Sequence, residues 1–216
     1  MLTFDEPTHI YRWNGVVVPN VTRIIAPLID YSMIPPDRLE TARQEGIAVH
    51  KMVELDCNGQ LDIDHLLGDE STAWMKGPYE AWCRFKEETG FECWNAERKM
   101  YHPTLRFAGT PDLIGLLLKL KKINGPANLD VKRSLFGGPA IGLQTAAYTK
   151  LWNDTDGKKD FRVPDRHRFA LELRKNGTYR LTQFEDGQDF VAFLACLQQH
   201  RWKEKYYPER VHATVA

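Results

Sequence analysis

Residues 107–118 have the sequence FAGTPDLIGLLL and residues 128–133 have the sequence NLDVKR, and these two stretches decide the fold class. The first contains a long apolar run, and we predict a β-strand in each stretch and a turn at Asn124-Gly125-Pro126 between them. Pairing of the two strands would bring Asp112, at the start of the apolar run, close to Asp130. We therefore expect two acidic side chains at one end of a β-sheet.

Asp130 and Lys132 lie two residues apart, so their side chains project from the same face of the predicted strand. With Asp112 they form a set of two carboxylates and one ammonium group. Carboxylate oxygens and a backbone carbonyl, here that of Val131, are the hard ligands that Mg²⁺ and Mn²⁺ prefer. A lysine beside such a site can orient or deprotonate an attacking water and offset negative charge on phosphorus. The pattern favours metal-dependent cleavage of a phosphodiester.

The remaining elements follow from hydrophobic periodicity and from turn and cap residues. In chain order, we predict a hairpin over 8–18 that turns at Asn14-Gly15, a short helix over 21–25 capped by Asn20, a helix capped by Asp37 that reaches Glu54, a polar connection over 61–68, a helix over 71–88 that stops at Gly90, a strand over 91–100, the two strands above, a helix over 139–152, a hairpin over 168–182 that turns at Asn176-Gly177, and a helix over 187–205. This order indicates one α/β domain over residues 1–216, with a mixed central β-sheet flanked by helices and a small N-terminal hairpin.

Charge is balanced overall but uneven along the chain. Residues 37–97 contain 14 acidic and 6 basic side chains, a net charge of −8, whereas residues 98–133 contain 8 basic and 2 acidic side chains, a net charge of +6. The two acids of the basic stretch are Asp112 and Asp130. A solvated basic hairpin would explain this stretch, but we favour a phosphate-binding surface beside a metal site. Its predicted DNA contacts are Arg106, Lys121, Lys122 and Arg133.

Composition bounds the class of protein. The 216 residues are 43% apolar and 27% charged, which is typical of a soluble globular domain with a substantial core. No apolar run approaches the roughly 18 residues of a membrane span, and the N-terminus has no signal-peptide pattern, so we predict no membrane contact and a cytoplasmic location. The cysteines form no Cys-x-x-Cys pair, which argues against a zinc ribbon and against an iron–sulfur cluster. They are Cys57, Cys83, Cys93 and Cys196.

Several segments together resemble the PD-(D/E)xK nuclease superfamily, and within it the RecB-type exonucleases and their phage relatives. Pro111-Asp112 and Asp130-x-Lys132 resemble the two core motifs, with aspartate in place of the Glu-x-Lys glutamate. Residues 46–50, GIAVH, resemble a helical motif whose histidine joins the metal site. Residues 144–148, QTAAY, resemble a Gln-x-x-x-Tyr helix, and residues 11–22 resemble the opening of such nucleases. Segments with counterparts span residues 8–150, about two thirds of the chain.

The resemblance implies a restriction-endonuclease-like α/β core and a site for Mg²⁺ or Mn²⁺, with two ions. The implied metal ligands are His50, Asp112, Asp130 and the Val131 carbonyl. The implied catalytic residues are Asp112, Asp130, Lys132, Gln144 and Tyr148. Gln144 and Tyr148 lie four residues apart on one helix face, where they would hold the DNA backbone or orient Lys132.

The flanking residues each have an ordinary alternative. His50 would otherwise be a packed histidine that hydrogen-bonds to backbone, and Glu54 would orient it or be a solvated acid. Gln144 and Tyr148 would form the polar edge of a core helix. Glu97 is a further candidate carboxylate, and its alternative is a surface ion pair with a neighbouring basic residue.

The leading hypothesis is a metal-dependent DNA exonuclease that acts on ends or single strands in bacterial or phage DNA recombination, repair or processing. A recombinase, a single-strand-binding protein or a helicase would be its partner. The alternatives are a catalytically silent DNA-binding or scaffolding module with the same fold and an unrelated hydrolase of small phosphoesters. Gly-x-Ser-x-Gly and Walker motifs are absent, which disfavours a serine hydrolase and an NTPase. The sequence leaves open DNA against RNA, exonuclease against endonuclease mode, polarity and oligomeric state.

Overall fold

The computed structural model describes residues 1–133, 138–155 and 161–207, with a five-stranded sheet at its centre. The elements are β1 (Leu2–Asp5), β2 (Ile10–Trp13), β3 (Val16–Val18), α1 (Val21–Ile25), α2 (Pro36–Cys57), α3 (Ile63–Gly68), α4 (Lys76–Thr89), β4 (Glu92–Ala96), β5 (Met100–His102), β6 (Phe107–Gly109), β7 (Leu113–Leu120), β8 (Ile123–Lys132), α5 (Ala140–Thr155), β9 (Arg168–Leu173), β10 (Tyr179–Phe184) and α6 (Asp189–Tyr206). The central sheet has the order β10-β9-β8-β7-β4, in which β8 and β9 are parallel and the other neighbours antiparallel. The predicted mixed sheet is confirmed.

Helices cover both faces of this sheet. One hydrophobic core packs α2 and α4 against it and includes Val49, Trp82 and Leu113. The second core packs α1, α5 and α6 against the opposite face and includes Ile114. Leu113 and Ile114 are consecutive on β7 and fall in different cores, because successive side chains on a strand point to opposite faces. In the described part of the chain, no helix is long and apolar enough to cross a membrane.

The N-terminal region contains the predicted hairpin and one strand more. β2 and β3 turn at Asn14-Gly15, where both residues have positive φ, 50° and 82°, as a tight hairpin turn requires. β1 was not predicted and pairs with β2, so the hairpin belongs to a three-stranded sheet. Asn20 caps α1 as predicted, since its side chain accepts a hydrogen bond from the Arg23 N–H at 2.9 Å.

The helices before the central sheet differ from the prediction at their starts. The N-cap of α2 is Pro35, and Asp37 lies in the first turn instead of capping the helix. The segment over 61–68, predicted as a polar connection, contains α3, which the side chain of Asp62 caps at the His65 N–H. The predicted helix over 71–88 begins as a 3-10 turn and becomes α-helical at Lys76. It ends at Gly90 as predicted, with φ of 60°.

Two predicted strands are each divided in the structure. Residues 91–100 form β4 and the start of β5, separated at Glu97, whose φ of 50° is incompatible with a continuing strand. Residues 107–118 form β6 and most of β7, separated around Pro111. β5 and β6 pair with each other in a separate two-stranded sheet. The chain therefore leaves the central sheet between β4 and β7, and the returning segment carries Asp112.

The predicted turn at Asn124-Gly125-Pro126 is wrong. β8 begins at Ile123 and the turn lies at Lys121-Lys122. Pro126 sits inside the strand opposite Leu116, and its carbonyl accepts a hydrogen bond from His167 Nδ1 at 2.9 Å. The later elements agree with the prediction, including the hairpin of β9 and β10 and the positive φ of 75° at Gly177.

Candidate metal and catalytic site

Asp112 lies where the β7–β8 ladder ends. The last pair of this ladder is Leu113 with Leu129, so the N–H of Val131 has no partner on β7. It donates instead to Asp112 Oδ2 at 2.7 Å. Burial raises the pKa of Asp112, and the neighbouring positive charges of His50 and Lys132 oppose this effect. The backbone of β8 thus fixes the carboxylate beside Asp130, as pairing of the two strands predicted.

Asp130 and Lys132 project from the same face of β8 and form an ion pair. Lys132 Nζ lies 2.6 Å from Asp130 Oδ2. Asp130 is 0% exposed, and its other oxygen, Oδ1, has no hydrogen-bond partner among the described residues. Burial raises the pKa of Asp130 to about 6, against the effect of the Lys132 charge. Burial lowers the pKa of Lys132, but the carboxylates of Asp130 and Asp112 outweigh it and raise the pKa.

His50 and Glu97 join Asp112 from two other elements. His50 Nδ1 on α2 lies 3.3 Å from Glu97 Oε1 and 3.6 Å from Asp112 Oδ2. Burial disfavours the imidazolium, but the charge of Asp112 and the contact with Glu97 raise the pKa of His50 to about 9. One potential ligand atom from each of these three residues lies within 4.8 Å of the others. The strand break at Glu97 turns its carboxylate toward the cluster.

The donor set fits a hard divalent cation. It offers one imidazole and two carboxylates within bonding range of a common centre, and Mg²⁺ and Mn²⁺ favour oxygen-rich sets of this kind. Asp130 is outside this triad, yet its buried Oδ1 lacks a partner in the part of the chain described, which a cation would satisfy. The roles of Asp130 and the Val131 carbonyl as ligands, and the number of ions, stay predictions.

Gln144 and Tyr148 lie together on α5, as their spacing predicted. Gln144 Nε2 donates to Tyr148 Oη at 3.4 Å, and both side chains are buried. Burial first, and then the charges of Asp112 and Asp130, raise the pKa of Tyr148 well above its usual value. The Tyr148 ring packs on Gly109, where an added Cβ would lie 2.8 Å from ring atom Cε1. The glycine before Thr-Pro-Asp therefore lets this tyrosine reach the site.

A cavity of about 550 Å³ connects these side chains. The lining residues from the sequence prediction are His50, Glu54, Glu97, Asp112, Lys132, Gln144 and Tyr148. Glu54 forms an ion pair with Lys51 at 2.8 Å and makes no hydrogen bond to His50 among the described residues. Tyr11 was not predicted as a site residue, but it lines the cavity, and its Oη lies 2.5 Å from Thr110 Oγ1. That contact joins residues 99 apart and has no local sequence signal.

The predicted DNA contacts are scattered. Arg133 lies next to the site, where its Nε is 3.1 Å from Glu45 Oε2. Arg106 lies in the turn between β5 and β6, outside the cavity. Lys121 and Lys122 occupy the β7–β8 turn, about 25 Å from the site at the usual rise per strand residue. The basic stretch of sequence is therefore not one basic surface in space.

Comparisons with known proteins give one kind of match. No family model matches the sequence, and no curated protein matches it. Among solved structures, an alkaline exonuclease (LHK-Exo) from Laribacter hongkongensis is similar at 18% identity and a TM-score of 0.38, with 92% of this chain and 95% of that chain covered. LHK-Exo in complex with dAMP is similar at 18% identity and a TM-score of 0.35, with the same coverage. A likeness at this level carries no conclusion about the site, which depends on the geometry above.

Proposed function

We propose that this chain is a Mg²⁺- or Mn²⁺-dependent DNA nuclease that hydrolyses phosphodiester bonds at DNA ends or in single strands. The observation that supports it is the meeting of metal-ligating side chains from separate parts of the chain. Three separate segments of the chain bring His50, Glu97 and Asp112 within ligand distance of one another, and β8 adds Asp130 and Lys132 beside Asp112. Buried acids of this density destabilise a fold unless a cation or a proton compensates them, so the cluster favours a bound cation.

His50, Glu97 and Asp112 would hold the metal, with Asp130 Oδ1 as a further ligand. A bound divalent ion supplies Lewis-acid stabilisation of charge on a phosphate oxygen and a lower pKa for water. The remaining work belongs to the chain. The Val131 N–H fixes the orientation of Asp112, and Asp130 holds Lys132 by their ion pair. Lys132 Nζ then orients the attacking water and offsets the negative charge that grows on the phosphate.

Gln144 and Tyr148, which project from α5 and line the cavity, would position the substrate. The amide and the phenol can each donate a hydrogen bond to phosphate oxygens, which fixes the backbone without sequence preference. Their mutual hydrogen bond orients both groups before substrate arrives. This pre-organisation shortens the search for a reactive geometry.

The biological setting we propose is DNA recombination, repair or processing in a bacterium or a phage-infected host. A recombinase, a single-strand-binding protein or a helicase would supply the substrate. The alternative is a DNA-binding or scaffolding module that keeps this fold without turnover. Such a module has no need for Asp130, whose burial without full pairing lowers stability.

Digestion of three DNA substrates tests the proposal. End-labelled linear duplex, end-labelled single strand and covalently closed circle are incubated with Mg²⁺, Mn²⁺ or EDTA. We expect loss of the linear substrates with either metal, no loss in EDTA, and an intact circle. The Lys132→Ala variant should be slower by about 10²–10³-fold, the usual effect of removing one charge-stabilising donor. The Lys203→Ala variant, changed at an exposed lysine on α6, is the matched control and should equal wild type.

Each other outcome has a distinct meaning. Degradation of the closed circle would refute end dependence but not nuclease activity. Binding of DNA without products in either metal would support the silent module. Equal metal-dependent cleavage by wild type and by highly purified Lys132→Ala protein would overturn the assigned site.

A further inference from the structure

A second groove lies outside the metal site, between the N-terminal sheet and the sheet of β5 and β6. Its volume is about 880 Å³, within the range of ligand-binding clefts. Its aromatic lining is Trp13 and Tyr101, whose rings stack with centroids 4.5 Å apart and an interplanar angle of 15°. Trp13 remains 36% exposed at the end of β2. An indole held flat by a partner ring and still open to solvent is a platform for another planar group.

The polar lining of the groove is cationic. It includes Arg106 and Arg201, and no aspartate or glutamate is among the described residues that line it. Arg201 donates to the backbone carbonyl of Leu105, and neither arginine forms an ion pair with a carboxylate in the described ranges. Two guanidinium groups that have no acidic partner among the described residues favour an anionic ligand. The groove thus combines a stacking surface with positive charge.

The groove and the metal-site cavity are lined by nearby residues of the same two chain segments. On β2, Tyr11 lines the cavity and Trp13 lines the groove. Immediately before and within β5, Lys99 lines the cavity and Tyr101 lines the groove. Two residues along a strand span about 7 Å, which is close to the spacing of successive nucleotides in an extended strand. A chain that leaves the cavity in this direction meets the aromatic pair within one or two nucleotides.

We propose that this groove binds single-stranded DNA next to the metal site, by stacking of an unpaired base on Trp13 and contact of phosphates with Arg106 and Arg201. Aromatic platforms with flanking cations are the usual means of binding single strands without sequence preference. A base inside a duplex has both faces covered by its neighbours and offers none to Trp13. The adjacency of groove and catalysis rests on the proposed nuclease function, whereas strand binding by the groove does not require cleavage.

Binding without cleavage tests this proposal. Fluorescence anisotropy in EDTA and low salt measures the Kd of the full chain for three probes of equal length, about 12 nucleotides. The probes are a labelled deoxythymidine strand, the same backbone with abasic sites, and a blunt duplex. We expect the thymidine strand to bind about tenfold more tightly than the abasic strand. Equal Kd values for the thymidine and abasic strands would overturn the proposed base stacking, whatever the variants show.

Variants locate the effect in the groove. Trp13→Ala should weaken binding of the thymidine strand about tenfold, Trp13→Phe should restore part of it, and neither should change the Kd for duplex. Trp202→Ala is the matched control, because Trp202 is an exposed indole on α6 that contacts Tyr206 and Tyr207 and is not part of the groove lining. An equal loss in Trp13→Ala and Trp202→Ala would contradict the proposed position.

Arg106→Gln provides a second variant that does not touch the aromatic pair. It should lower the slope of log Kd against log salt by about 0.7, the value for one phosphate contact on a single strand. An unchanged slope would remove Arg106 from the surface and contradict the proposal. The two proposals can fail separately. If the strand binds through Trp13 but is not cleaved in metal, only the nuclease proposal fails. If DNA is cleaved but Trp13 has no role in strand binding, only the groove proposal fails.

Discussion

Asp130 on β8 and Arg168 on β9 are buried charged side chains on adjacent parallel strands, and their surroundings are opposite. Arg168 is 2% exposed, and its guanidinium donates to three backbone carbonyls and one carboxylate. These acceptors belong to Gly142, Asp165, Asp186 and Asp189. Asp130 is 0% exposed and forms one ion pair, with Lys132, while its Oδ1 has no hydrogen-bond partner in the described structure.

The difference separates a structural charge from one that the proposed function would use. A buried charge that stabilises a fold uses every donor or acceptor it has, because each unused group retains its desolvation penalty. Arg168 follows that rule and joins β9 to α5 and to the start of α6. Asp130 does not follow it: its Oδ1 has no partner in the described structure, and the charges of Asp112 and His50 act on its carboxyl group. An incompletely paired buried acid therefore marks the site better than burial or charge alone.

Of the substitutions considered, Asp130→Asn should have the largest effect, and the effect should be on activity and not on stability. The amide keeps an oxygen for Lys132 but removes the negative charge, so we expect the DNA digestion rate to fall by at least about 10³-fold. The melting temperature should stay within a few degrees of wild type, since a buried charge is lost with little change in shape. Initial rates on end-labelled linear duplex and a thermal melt measure both quantities.

Asn128→Asp is an informative companion, because Asn128 lies two residues earlier on the same face. Its amide donates to the Thr145 carbonyl and to Thr149, so a carboxylate there loses both donors and should destabilise the fold. If Asp130→Asn instead lost much stability and kept normal activity per folded molecule, Asp130 would be a structural charge like Arg168.

Arg168→Met should show the opposite pattern. The substitution removes the guanidinium donor from four acceptors and leaves Asp189 without its ion pair, so we expect the free energy of unfolding to fall by about 3–5 kcal/mol. Below the melting transition, the digestion rate per folded molecule should equal wild type. Urea denaturation measures the first quantity, and Arg180→Met on the exposed face of the edge strand β10 is the control. Equal stability losses at both arginines would show that the Arg168 contacts contribute nothing.

The sequence predicts the features of the fold that local chemistry sets and misses those that tertiary contacts set. Turn and cap chemistry is local, so Asn14-Gly15, Asn20 and Gly90 were predicted with the correct roles. The local sequence predicts a turn at Pro126, but tertiary pairing with Leu116 holds it inside β8. The sequence predicts a strand through Glu97, where the structure has a break. The positive φ of this non-glycine residue accompanies a distant contact with His50, which local sequence cannot predict.

The site residues also fall into those that local pattern predicts and those that it does not. The proximity of Asp112 to Asp130 and Lys132 follows from pairing of neighbouring strands, and period-two alternation gives their common face. His50 is 47 residues from Glu97, and only the family resemblance suggested its place. Charge density along the sequence misled the prediction at Lys121 and Lys122, because an antiparallel hairpin carries its turn to the opposite end of the sheet from Asp130.

His102 offers the smallest test of the contrast, through stability and pH. It is a fully satisfied buried group: Nδ1 accepts from the Leu105 N–H at 3.2 Å, and Nε2 is 3.1 Å from Asp154 Oδ2. Burial lowers the pKa of His102 despite the nearby carboxylate of Asp154. Below the ordinary histidine pKa of about 6.5, the unfolded chain therefore binds a proton that the folded chain does not. Stability from this residue is present at higher pH and is lost as the pH falls.

The His102→Gln variant removes this titration, so its unfolding free energy should fall less steeply than that of wild type between about pH 6.5 and 5. The difference cannot exceed about 1.4 kcal/mol per pH unit for one proton, and we expect a total near 1 kcal/mol. Asp130, whose pKa is raised to about 6, titrates in the same window with the opposite sign, but it is common to both proteins and cancels in the difference. His65→Gln, at an exposed histidine on α3, should leave the wild-type slope unchanged. Identical slopes in wild type and His102→Gln would mean that His102 carries its proton in the folded protein, and full pairing would then fail to identify neutral, structural histidines in this fold.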